Sequence, residues 1–328
     1  MPPHTTIPAR AAAGTGAALH RGRSALARAA LAVGVLAAAA TGTVTAGISP
    51  AAAAPAVLYA AATAAGTGDC STTANACTLT TGLADVGPGG TIELCTPGST
   101  AHYLGNWTVG TTGTSAAAPV TIQTAPGLAS QPMLDGNRGN SGGCTTASCA
   151  GPVLAVGQNE YVALSGITIA NGYNHTVPIN QDGNGGGLYN SGTVTITGST
   201  FSGNTALFGG AISNGLGTPD GGTGTGSVMA TDTTFTGNTG IDGGGAIDSG
   251  AGALGTTGGT VTVTASTFSG NNGGSTGGAI NSGYAEGAGT VTVTGSTFSG
   301  DTSSVCCYGA EINNMNSGTV QVLSLIHI

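Results

Sequence analysis

The chain predicts an all-β fold, a right-handed parallel β-helix: a solenoid of three strands per coil with a short N-terminal capping helix. Three observations point there. Four segments carry the same pieces in the same order: "GTVTITGSTFSGNTALFGGAISN" (192–214), "GSVMATDTTFTGNTGIDGGGAIDS" (226–249), "GTVTVTASTFSGNNGGSTGGAINS" (259–282) and "GTVTVTGSTFSGDTSSVCCYGAEINN" (289–314). A valine and a phenylalanine stand seven residues apart in every copy, as in Val194/Phe201, Val228/Phe235, Val261/Phe268 and Val291/Phe298. The copies restart after 34, 33 and 30 residues, and the length variation falls in Gly-rich stretches such as "GLGTPDGGTGTG". Fixed strands joined by elastic loops mark stacked repeats, each burying its apolar face only against its neighbours.

Each element follows from its residues. Residues 1–56 carry Arg10, Arg21, Arg23 and Arg28 ahead of an apolar run around Ala29–Ala40, with small residues near Ala53–Ala56. That is the layout of a secretory signal peptide, and it implies a secreted or cell-surface protein. A transmembrane anchor is the weaker reading, because Gly, Thr, Ser and Pro interrupt the run. In 57–150, the cap and first irregular coils, "CTLTTGLADV" sets Leu79, Leu83 and Val86 on one face of a short helix. "GGTIELC", "PVTIQT", "PMLDGN" and "GPVLAVG" then read as early strands.

The regular repeats span 151–322 and open with a degenerate copy, "YVALSGITIANG", which keeps Val162 and Ile169 seven apart. In "TVTVT", Val261 and Val263 point inward and Thr260, Thr262 and Thr264 outward. In "STFSGN" the ring stacks on that of the next coil, and the Asn (Asn204, Asn238, Asn271) suits a turn with an amide ladder. "GGAI" supplies two residues without Cβ for a tight corner, followed by an inward Ile. The length leaves room for roughly eight coils. A β-propeller of similar period is disfavoured by three strands per repeat and a variable period.

The paired, phased "FSGN…GGAI" pieces resemble the repeat of the chlamydial polymorphic membrane proteins, defined by F-x-x-N and G-G-A-I/L. The matches are Phe201/Asn204 with Gly209, Gly210 and Ile212; Phe235/Asn238 with Gly244, Gly245 and Ile247; and Phe268/Asn271 with Gly277, Gly278 and Ile280. "GGLYNS" (186–191) is a variant, and the last copy departs, with Phe298 followed by Asp301 and "GAEI". The resemblance implies a right-handed β-helix and a surface-exposed, adhesive role.

Charge and chemistry narrow the functions. Beyond residue 56, Arg138 is the sole Lys or Arg against all 13 Asp and Glu, a net charge of −12. Such a surface repels nucleic acid and anionic membranes. Seven cysteines in an exported chain suggest local disulfides, Cys70–Cys77 and Cys144–Cys149, while Cys95, Cys306 and Cys307 stay unassigned. No His joins them in a zinc pattern.

The leading reading is a structural or adhesive β-helix, acting as a monomer, without a cofactor or membrane insertion. It engages a surface ligand, carbohydrate or host-cell protein, through loops between "GGAI" and "TVTV". The enzyme alternative is a calcium-dependent polysaccharide lyase or a glycoside hydrolase. It has only Arg138, beside Asp135, as a cation and only Asp242 and Asp248 as candidate calcium ligands. His102 and His175 read as isolated loop residues. An ice-binding solenoid is the second alternative, from the outward threonines, although the variable loops are expected to interrupt a flat face.

The end, "LSLIHI" (323–328), lacks Gly and Thr, and position 327, where the period calls for Phe, holds His. It is also what CTGTCTCTTATACACATC encodes, which resembles a transposon-library adapter. Residues 323–328 are therefore expected to be read-through, with the natural chain continuing.

Overall fold

The computed structural model describes residues 56–111, 113–137, 151–174, 184–215, 226–252, 257–285, 288–304, 309–314 and 318–327. Nearly all of the signal segment, Arg138, Cys144, Cys149, His175, Cys306 and Cys307 lie outside them.

The described strands wind as a parallel β-solenoid with three faces. The first face stacks Val57–Ala60, Thr91–Leu94, Val120–Thr124, Tyr161–Ser165, Thr193–Thr197, Ser227–Thr231, Thr257–Thr264, the start of Ala288–Ser299, and Thr319–His327. The second stacks Tyr103–Leu104, Met133–Asp135, Thr168–Ala170, Thr200–Ser202, Thr234–Thr236, Thr267–Ser269 and the end of Ala288–Ser299. The third stacks Trp107–Val109, Leu154–Val156, Leu188–Asn190, Ile212–Asn214, Ile247–Gly252, Ile280–Ala285 and Ile312–Asn314.

Seven strands on each of the second and third faces make seven coils among the described residues, not the eight that length suggested. The reason lies between the first two strands of the first face. There the chain makes a 3-10 turn, Thr73–Asn75, and the helix Leu79–Asp85 instead of a coil. Thr78 caps that helix by accepting from the Thr81 amide at 3.2 Å. Leu79 and Val86 are buried and Leu83 packs on the core, so the helix covers the end of the solenoid. Cys70 and Cys77 are joined in a disulfide within this cap.

The core is a set of columns running along the axis. Val194 pairs in register with Val228, Val261 and Val291, and all four are fully buried. The Phe201, Phe235, Phe268 and Phe298 rings stack at centroid distances of 5.4, 4.7 and 4.5 Å. Burying each ring contributes roughly 1.5–3 kcal/mol. Leu188, Ile212, Ile247 and Ile280 form the third column.

The two glycines of each "GGAI" do different work. At the first, Gly209, Gly244 or Gly277, a Cβ would strike the carbonyl of the Ile three residues on, within the same coil. At the second, Gly210 or Gly245, it would strike the carbonyl of the matching glycine in the next coil.

Three polar ladders finish the corners. Asn204 donates Nδ2 to Asn238 Oδ1 (3.0 Å), Asn238 to Asn271 (3.0 Å), and Asn271 to Asp301 (2.8 Å), and all three amides are fully buried. Ser199, Thr233, Ser266 and Ser296 turn inward between the first and second faces, each hydroxyl donating to the carbonyl two residues back. Inward Asn190, Asn214, Ser249 and Ser282 donate to carbonyls where the next coil begins. Buried polar groups satisfied in this way fix register as well as fold.

Candidate functional site

The most regular surface is the outside of the first face. Thr193, Ser227, Thr260, Thr290 and Thr319 lie side by side in register, and so do Thr195, Met229, Thr262, Thr292 and Gln321. A third row holds Thr197, Thr231, Thr264 and Thr294. Neighbours within a row stand ~4.8 Å apart and rows ~6.7 Å apart, the spacings that parallel strands impose. No member of these rows is ionisable.

Threonine suits this place because its β-branch leaves few χ1 choices, so its hydroxyl and methyl are held in position before any ligand arrives. The second face continues the array with Thr200, Thr234, Thr267 and Thr297, and beyond them Ser202, Thr236, Ser269 and Ser299. Ala288–Ser299 runs through the corner as one strand.

In chain order the variable-length segments follow Gly215, Gly252, Ala285 and Asn314, between a third-face strand and the next first-face strand, and they lie outside the described residues. The hydroxyl rows lie between that corner and the next.

A second constellation joins residues that the sequence left apart. His102 Nδ1 lies 2.7 Å from Asp135 Oδ2, and the Asp135 side chain is only 2% exposed against 35% for His102. The other oxygen, Oδ1, accepts from the Asn137 amide (2.7 Å) and from Asn171 Nδ2 (3.1 Å). A carboxylate so placed accepts from Nδ1 and fixes the orientation of the ring. His102 is thus not isolated, as its sequence neighbours implied. The pairing of Leu104 with Asp135 in adjacent coils brings the two together, and aligning Tyr103 with Leu134 as inward residues is the signal that could have found it.

The acidic candidates differ in setting. Asp248 is fully buried, and its Oδ2 accepts from the Gly244 amide (3.1 Å) and Asn281 Nδ2 (3.0 Å). Asp242 is half-buried, and its carbonyl accepts from Ser275. Among the described residues no three of His, Cys, Asp and Glu gather as a metal site. The donors to Asp248 Oδ2 come from the corner glycine and from the next coil, a packing role. Asp301, at the end of the asparagine ladder, has its carboxyl pushed above the usual range by burial, against two opposing donations from Asn271. Cys95 is a half-buried free thiol, raised by burial and then by the Glu93 charge.

No protein-family model matches the chain, and no curated protein does. Two solved structures are similar in fold. One is the crystal structure of pectate lyase Pel9A, at 15% identity, covering 83% of this chain and 77% of that one, with a TM-score of 0.38. The other is an alginate lyase from Paenibacillus sp. str. FPU-7, at 12% identity, covering 83% and 99%, with a TM-score of 0.30. The motif resemblance to polymorphic membrane protein repeats is matched by no family model.

Proposed function

We propose that the chain is an exported β-solenoid rod with a structural and adhesive role, which holds a surface ligand against its first and second faces. The observation that carries this reading is the in-register, uncharged array on the first face, with one row of hydroxyls unbroken over five successive strands and two further rows mostly of threonine. A rigid array binds without first ordering its own side chains, so many weak contacts add up along an extended ligand. The variable-length segments of the repeat then tune what that surface accepts.

The test is adsorption of the purified protein to insoluble polysaccharides and to whole cells. Replacing Thr195, Thr262 and Thr292 together by Glu puts charge in the middle row and is expected to weaken adsorption roughly tenfold or more. Unchanged adsorption by the triple variant would refute the role of this face. Cleavage of a uronate polymer, with or without calcium, would instead favour the lyase or hydrolase alternative.

The same observation supports a second reading, binding to an ice surface, since the strands hold most of the outward threonines in register. Thermal hysteresis that vanishes in the triple variant would establish it, and freezing at the equilibrium point would end it.

A further inference from the structure

Between the capping helix and the third face of the first coil lies a cleft of about 580 Å³, within the range of small-ligand sites. Thr80, Leu83 and Val86 form one wall and Asn106, Trp107 and Thr108 the other. None of its lining residues is ionisable. Trp107 is held firmly. Its indole N–H donates to Thr80 Oγ1 at 3.3 Å, and a Cβ on Gly105 would sit 3.3 Å from the ring, so the chain lies flat against it. The Asn106 amide nitrogen donates to the Gly151 and Pro152 carbonyls, at 3.1 and 2.6 Å, which leaves Oδ1 as an acceptor.

We propose that this cleft binds a neutral glycan unit. A sugar ring offers an apolar C–H side to Leu83 and to the small exposed parts of Trp107 and Val86, which are 8% and 4% exposed, and hydroxyls to Thr80, Thr108 and Asn106 Oδ1. An anion finds no Lys or Arg among the lining residues and meets an acidic chain, with Asp85 beside the wall. A cation finds no carboxylate in the lining. A purely aliphatic guest would strip water from the polar side chains Thr80, Asn106, Thr108 and Thr111 and return nothing to them. The site is separate from the hydroxyl face and rests on no part of that reading.

Trp107 is the only tryptophan in the chain, so its fluorescence reports directly on this cleft. The full chain is titrated with glucose, N-acetylglucosamine and their β-1,4-linked tetramers, with glucuronate and 1-hexanol as the charged and apolar counterparts. The expected result is a saturable change with at least one neutral sugar, half-complete on the order of 1 mM, the strength of a few hydrogen bonds and one ring contact. Ala84→Arg and Thr108→Arg, both at exposed positions, each fill the cleft and should weaken the response at least tenfold. Circular dichroism establishes which variant has folded, and either one suffices. The proposal is overturned if no neutral sugar saturates, if glucuronate or hexanol responds as well as the sugars, or if a folded Arg variant responds like the native protein.

Discussion

Asn238→Ala removes one rung from the middle of the buried asparagine ladder, and its cost can be worked from the hydrogen bonds it breaks. Asn238 Oδ1 accepts from the Asn204 amide (3.1 Å) and Asn204 Nδ2 (3.0 Å), while its own Nδ2 donates to Phe201 O (3.1 Å) and Asn271 Oδ1 (3.0 Å). Alanine keeps the backbone donation from residue 238 to Asn271 Oδ1. It strands two donors on Asn204 and weakens the Phe201 carbonyl, all in a site closed to water. At ~1–3 kcal/mol for each stranded group, the loss is about 2–6 kcal/mol. A chain of this size should then melt roughly 5–20 °C lower. The control is Asn272→Ala, one residue beyond the next rung, where the exposed side chain accepts only from the Gly274 amide. That loss should stay within about 0.5 kcal/mol. Thermal unfolding followed by circular dichroism compares the two. If both variants melt within about 2 °C of the native protein, the ladder does not hold the coils together and the reasoning fails.

Other perturbations follow from the same architecture. Gly245→Ala drives a Cβ into the carbonyl of Gly278 in the next coil, where only backbone can yield, and should cost ~3 kcal/mol or more. Gly270→Ala meets open space and carries only the penalty of φ +62°, about 1–2 kcal/mol, so urea midpoints should separate the pair. Replacing Cys70 and Cys77 together by Ser opens a loop of sequence separation 7 and should remove about 2–3 kcal/mol, read as a lower melting temperature. Asp301 has a folded pKa raised above its unfolded value of about 3.9 by burial, so stability falls as pH rises from the unfolded value through the folded one and stays lower above it. Asp301→Asn should abolish that fall and stabilise the protein more at pH 7 than at pH 3. Its amide would donate to the Phe268 carbonyl, as Asn238 and Asn271 donate to Phe201 and Phe235. An unchanged pH profile would remove Asp301 from the account.

The repeat made much of the fold legible. The seven-residue offset between Val194 and Phe201 places a strand on each side of one corner, and its recurrence puts ring on ring. The alternation in "TVTVT" tells inward from outward because one face of the strand is dry. Leu79, Leu83 and Val86 mark the cap by helical spacing. What was not legible lies where local chemistry is ambiguous. The hydroxyl pair before each Phe, "ST" or "TT", reads as an exposed turn, yet Ser199 and Thr233 are buried because their hydroxyls replace water at the corner. Asn190 and Asn214 occupy inward positions where alternation calls for an apolar residue, and only the carbonyls opposite them explain this. The coil count missed because the cap consumes a coil's length without making one. His102 and Asp135 meet through early, irregular coils that carry no repeat motif, so only the match of inward Tyr103 with inward Leu134 marks their register.

The column of matched glycines has a mechanical consequence. Because Gly210 packs on Gly245 and Gly245 on Gly278 at the same place in each coil, the coils resist load as separable layers. Pulled from one end, the rod should peel a layer at a time. Val228 and Val261 are register partners 33 residues apart, so each event should release about 110 Å of chain. A force–extension trace would then be a regular sawtooth, with its spacing shifting only where a loop is longer or shorter.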